Sequence, residues 1–237
     1  MKKILAGICV FNEGPKIKRV LKKFNQYDLY DVLIIDDAST DDGLKEVSSG
    51  ESLAVIRNDR TRGAGYGTRQ IIAYAKSNGY ETVVFVSGND KDSPADIPKL
   101  LETIEEGYDF VQGSRYLPGG KHGAMPFYRR MATRFLHPWL FSLITGQRVT
   151  DSTNGFRAVR VSLTDDPRIN LNQPWLDAYE LEPYLFYKAI RCGYRVREVP
   201  VEKVYPPKRE GYTKMKPFSG WWSILRPLVY LGLRIKK

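Results

Sequence analysis

The sequence predicts an α/β fold, a mostly parallel sheet with helices on both faces, and three observations carry that prediction. Strand-like and helix-like segments alternate through the first half of the chain. Apolar runs such as Val83-Val84-Phe85-Val86 are rich in β-branched and aromatic residues, as buried strands are. Acidic residues gather where two such runs end, the edge at which open α/β sheets bind ligands.

In order, residues 4–10 read as a strand and 16–24 as a helix. Residues 32–35 form a strand running into Asp36-Asp37, 44–47 a short helix and 53–56 a strand. The helix at 64–76 closes at Asn78-Gly79, residue types that tolerate the left-handed turn ending a helix. A strand at 82–86, a helix at 97–105 and a strand at 110–113 follow. The second half is less regular: a helix at 127–143, a strand at 156–161, a helix at 181–191 before Gly193, and a strand at 196–199 ending at Pro200. A Pro-, Lys- and Tyr-rich loop covers 203–216, and a terminal helix begins near Phe218. With no repeat or low-complexity linker, the expected organisation is a catalytic domain over 1–216 and a C-terminal helix over 217–237.

Cys9 and Cys192 lie far apart in apolar contexts, without metal-ligand spacing, which points to a reducing compartment. The opening Met1-Lys2-Lys3-Ile4-Leu5 has a faint signal-peptide character, but Asn12-Glu13 arrives too soon for a full apolar region. No apolar run is long enough to span a bilayer. The net charge of +10 is concentrated at one end, with nine Lys/Arg from Lys203 onward against one acid, Glu210. Such a tail suits nucleic acid or an anionic membrane surface. On a helical wheel at about 100° per residue, Trp221, Ile224, Leu228, Leu231 and Ile235 fall opposite Arg226. Two tryptophans, an apolar stripe and flanking Lys/Arg describe an amphipathic helix lying in a membrane interface; packing on the domain's own core is the alternative. Opposed aromatic and basic faces do not make the interleaved groove of a nucleic-acid binder.

Asp90-Lys91-Asp92 leaves a buried strand, with Pro94 opening the next helix. Two carboxylates one residue apart suit a hard cation, Mg²⁺ or Mn²⁺, shared with substrate phosphates. A charged turn with Asp92 or Ser93 as helix cap accounts for them equally. Arg62-Gly63-Ala64-Gly65-Tyr66-Gly67 is a glycine-rich helix start that frees amides for a phosphate, or permits close packing of helix on sheet.

Taken in order, Phe11-Asn12-Glu13, the Asp36–Asp42 acidic stretch, the Arg62–Gly67 turn, Gln112-Gly113-Ser114-Arg115-Tyr116, Asn154-Gly155-Phe156-Arg157 and Arg209-Glu210-Gly211-Tyr212-Thr213-Lys214-Met215 resemble the inverting family 2 glycosyltransferases of the GT-A fold. The nearest branch is the dolichol- or polyprenyl-phosphate mannose synthase type. The resemblance implies that Phe11, Asn12, Glu13 and Asp37 line a nucleotide pocket, with Arg62 and Gly63 beside it. Glu13 and Asp37 can accept hydrogen bonds from base N–H groups or ribose hydroxyls. It implies that Arg115, Arg129 and Thr133 cradle an acceptor phosphate, a task that suits the planar, permanently charged guanidinium. Arg209 and Lys214 would close over the donor diphosphate as a lid.

The metal motif departs from the family's Asp-Ala-Asp-Leu-Gln-His-Pro. Aligned on Pro94, its first Asp becomes Gly88 and its Gln becomes Asp92, so the expected ligands are Asp90 and Asp92 in a shifted register. The expected function is metal-dependent transfer of a hexose from a nucleotide-sugar to a polyprenyl or dolichyl monophosphate, peripherally on the cytoplasmic face of a membrane. The alternatives are transfer to a hydroxyl of a lipid-linked glycan, with Glu180 or Glu182 as base, and a catalytically degenerate nucleotide-binding module recruited to the membrane.

Overall fold

In the computed structural model the described residues are 3–24, 30–45, 47–205 and 219–236. Among these residues seven strands form one sheet in the order β3-β2-β1-β4-β6-β5-β7. They are β1 (Ile4–Val10), β2 (Asp31–Asp36), β3 (Leu53–Arg57), β4 (Thr82–Ser87), β5 (Phe110–Ser114), β6 (Arg157–Arg160) and β7 (Val196–Pro200). Only β6 runs antiparallel, wedged between β4 and β5, so the other six strands share one carboxyl rim.

Alternation along β1 shows why the sheet is covered twice. Leu5 points into a core shared with α2 (Ala64–Ser77), α5 (His137–Thr145), α6 (Leu181–Arg191) and α7 (Ser219–Gly232). Ala6, Ile8 and Val10 point into the opposite core, against α1 (Pro15–Phe24) and α3 (Ile97–Glu105). Successive strand side chains face opposite ways, so an unbroken apolar run is what a doubly covered strand needs. Gly7 lets α2 approach closely, since a Cβ there would meet Ile71 Cγ2 at 2.4 Å.

Two expectations change. Of the short helix expected over 44–47, Leu44 and Lys45 lie in a turn, where the Arg57 guanidinium donates to the Leu44 carbonyl at 2.7 Å, and residue 46 lies outside the described residues. The helix expected over 127–143 is α4 (Phe127–Met131) continuing through a π-helical turn, Ala132–Leu136, into α5. Such turns break helical register and recur at functional sites.

The C-terminal helix α7 docks on α5 and α6. Leu228 and Leu231, expected on a lipid-facing stripe, are buried in the domain core. Arg226 pairs with the buried Glu180 at 2.6 Å. Among the described residues of this end, Trp222, Val229, Leu233 and Ile235 are exposed apolar side chains. Among the described residues, no helix is long and apolar enough to cross a membrane.

Candidate active site

The carboxyl rim opens into a cavity of about 660 Å³, bounded by the loops after β1, β2, β4 and β5, the start of α2, the α4–α5 helix, α6, the segment after β7, and Ile224 and Leu225 of α7. Strand order sets its electrostatics. Glu13 and Asp37 follow β1 and β2 on one side, whereas Arg115 follows β5 and Lys203 follows β7 on the other.

On the acidic side, two strand-exit loops are laced together. Asn12, at φ 50°, accepts the Thr40 amide on its side-chain oxygen at 2.7 Å, and Gly14 donates to Asp41 at 2.7 Å. Phe11, Asn12, Glu13, Asp37 and Gly63 all line the cavity. Asp37 also braces the loop before α2, accepting the Arg62 and Gly63 amides at 2.8 Å each and Asn58 Nδ2 at 2.9 Å. The Arg62 guanidinium turns away, to Asp59 at 3.2 Å and the Tyr66 ring. The glycines of this turn serve packing: a Cβ on Gly63 or Gly65 would strike the Asp177 or Leu176 carbonyl at 2.4 or 1.9 Å.

On the basic side, Arg115, Arg129 and Thr133 line the same cavity. Arg115 is buried and held bidentately by Asp151, at 2.6 and 2.7 Å, with Thr153 at 2.7 Å. Thr133 Oγ1 lies 2.6 Å from the Tyr116 hydroxyl and donates to the Arg129 carbonyl at 2.9 Å. His137, one helical turn on, bonds Ser152 at 2.7 Å and the Ile224 carbonyl at 3.2 Å. Burial pushes its imidazole down to about 4, against a smaller upward pull from the Ile224 carbonyl and Asp151.

The expected metal ligands do not converge. Asp90 takes a left-handed backbone, φ 60°, and its carboxylate bonds Arg19 and Lys23 of α1 at 2.7 Å each. Asp92 is buried, accepting the Ser87 amide at 2.8 Å and pairing with Lys203, which also bonds Asn154 at 3.0 Å. Burial opposes ionisation of Asp92, yet the Lys203 ammonium and Ser87 hold its carboxyl below the usual range. Neither carboxylate lines the cavity. Among the described residues no three His, Cys, Asp or Glu side chains gather as a metal site. The residues at this loop therefore do not fit a divalent cation. Arg209 and Lys214 lie outside the described residues.

Sequence reasoning missed Lys91 and Lys203, which both line the cavity. Lys91 is 7 % exposed, and burial, with Lys203 and Arg129 nearby, pushes its ammonium down to about 8. Glu182 lines the cavity too, whereas Glu180 is held by Arg226.

A seven-stranded sheet of this order, with a cavity along its carboxyl rim, is a GT-A fold. The chain belongs to glycosyl transferase family 2, whose model matches residues 6–166. It is 31% identical over 227 residues to the undecaprenyl-phosphate mannosyltransferase of Micrococcus luteus, covering 90% of this chain and 87% of that one. It is 29% identical over 226 residues to the dolichyl-phosphate hexose transferase of Haloferax volcanii, covering 94% and 91%. Among solved structures, glucosyl-3-phosphoglycerate synthase of Mycobacterium tuberculosis, in complex with Mn²⁺, UDP and glucosyl-3-phosphoglycerate, superposes with a TM-score of 0.67 at 18% identity, covering 98% of this chain and 79% of that one.

Proposed function

We propose that this transferase moves a hexose from a nucleotide-sugar to a polyprenyl or dolichyl monophosphate, inverting the anomeric carbon. One observation carries the reading: a single cavity has Glu13 and Asp37 on one side, Arg115 and Arg129 on the other, and an apolar helix face beside the cations. An acceptor phosphate oxygen is already anionic near neutral pH, so no strong base is required. It attacks the anomeric carbon as the bond to the diphosphate breaks, and the nucleoside diphosphate departs with the electron pair. Positioning and charge neutralisation then supply most of the catalysis. The test is a panel of GDP- and UDP-hexoses with a short polyprenyl phosphate, read as lipid-linked product. Arg129→Ala is expected to raise KM for that acceptor about ten- to a hundredfold, the worth of one charge-assisted hydrogen bond. Nucleotide affinity should stay unchanged; if it falls instead, Arg129 serves the donor.

The helix that carries Arg129 and Thr133 exposes Tyr128, Phe135, Trp139 and Leu143 on its outer side, with Trp139 64 % exposed. Aromatic residues suit the water–lipid boundary. A long hydrocarbon acceptor whose phosphate sits at Arg129 can follow this face into a bilayer, so the enzyme rests peripherally on an anionic membrane surface, on its cytoplasmic side. Trp139→Asp should weaken cosedimentation with anionic liposomes several-fold, without changing nucleotide affinity. Equal liposome binding by both proteins excludes this face.

A sugar hydroxyl as acceptor is the second reading, favoured by Glu182 at the cavity wall. It requires Glu182→Gln to abolish turnover with phosphate-free acceptors.

A further inference from the structure

We propose that the loop after β4 neutralises the donor's leaving diphosphate with the ammonium of Lys91, beside that of Lys203, and that transfer needs no divalent cation. The inference rests on the nucleotide-sugar reading above and assigns its electrophilic partner.

Four observations carry it. First, a carboxylate cannot be restored at Gly88 without displacement, because a Cβ there would meet Val10 Cγ2 at 2.9 Å and the Cys9 carbonyl at 3.1 Å. Second, both acids of the loop are spent on protein cations: Asp90 on Arg19 and Lys23 outside the cavity, and Asp92, itself off the cavity lining, on Lys203. Third, the residue between them faces inward. Lys91 lines the cavity next to Gly88 and Asn89, almost wholly buried, with its Nζ 5.0 Å from the centre of the Tyr205 ring. Fourth, the backbone fixes that placement. The Val204 amide donates to the Lys91 carbonyl at 2.8 Å, and Asp92 bridges Lys203, so two lysines are brought to one wall by paired chain segments.

Lys91 shares the cavity lining with the cations Lys16, Arg129 and Lys203, and like charges brought together in this way repel. An anionic ligand relieves that repulsion, which makes the wall selective for phosphate groups. In the transfer step the anomeric C–O bond breaks, the diphosphate gains the electron pair, and Lys91 donates a hydrogen bond to it while keeping its proton. A fixed ammonium in a water-poor site acts where charge develops, the task otherwise given to a metal.

The experiment measures GDP and UDP binding by calorimetry, for the full chain in EDTA and in excess MnCl₂, and repeats it for Lys91→Met and Lys91→Arg. The native affinity is expected to agree between the two conditions within about threefold, and Lys91→Met to lose about tenfold or more, as removal of one charge-assisted hydrogen bond does. Lys91→Arg should retain most of the binding, and GMP or UMP should bind Lys91→Met nearly as they bind the native protein. A native affinity that rises more than about tenfold with Mn²⁺ overturns the inference while leaving the transferase reading intact. Undiminished diphosphate binding by folded Lys91→Met also overturns it. If Lys91→Met does not fold, the native comparison with and without metal decides. Failure of both nucleotides to bind in every condition overturns both readings together.

Discussion

Asp92→Asn is expected to lower the stability of the protein by about 3–5 kcal/mol, the range for breaking a buried ion pair by removing one partner. Asp92 and Lys203 are 3 % and 8 % exposed, so neither charge can be rehydrated in place. Asparagine keeps one acceptor oxygen, so either the Ser87 amide or the Lys203 ammonium loses its bond to residue 92, and the buried ammonium is left without its counter-charge in either case. Thermal unfolding by circular dichroism should show a midpoint lower by roughly 10 °C, given about 2–4 °C per kcal/mol for a domain of this size. The double replacement Asp92→Leu with Lys203→Met removes both charges and should recover a large part of the loss. Asp90→Asn, by contrast, breaks contacts with Arg19 and Lys23, whose side chains are 42% and 47% exposed, and should cost below about 1 kcal/mol. Similar melting losses for Asp90→Asn and Asp92→Asn would contradict this division of roles.

Acidification is expected to remove on the order of 3 kcal/mol of stability between about pH 6.5 and pH 4 through His137 alone. In the folded chain burial holds the imidazole at about 4. The unfolded chain has an ordinary histidine, near 6.5. Across that interval the unfolded state binds a proton that the folded state refuses, so stability falls as pH falls and the effect is complete below the folded value. Glu198, raised by burial, opposes this trend near the upper carboxylate range, and Asp92, held low, contributes only at still lower pH. The difference between the native protein and His137→Gln, measured as urea midpoints at several pH values, isolates the imidazole. A native slope equal to that of the variant would refute the assignment.

Much of the fold was legible because it is local. The apolar runs of β1, β2, β4 and β5 and the Asn78-Gly79 stop of α2 are properties of adjacent residues. The insertion of β6 between β4 and β5 was not, since no segment carries a record of its lateral neighbours. The wheel of α7 found an apolar stripe but could not say that Leu228 and Leu231 meet α5 and α6, which only the docked geometry decides. At the site, chain position located the right loops. Orientation within the loop after β4 was hidden, because it depends on a left-handed Asp90 and on a lysine 111 residues away. The signal for Lys91 was present as a cation set between two acids, where Gly88 had replaced a third.

The insertion of β6 also governs the order in which this chain can assemble during synthesis. The strands β3-β2-β1-β4 need only the first 87 residues, but the open side of β4 finds its partner when residues 157–160 emerge. Until then β5, already made, has no neighbour in the sheet, and β7 can join only through β5. A growing chain therefore presents an unpaired β4 edge across some seventy residues of translation, at about 5–20 residues per second. Exposed donors and acceptors along an apolar strand are a template for a second nascent chain. The strand that joins the two halves of the sheet is thus also the one whose late arrival ends the molecule's period of greatest vulnerability to self-association.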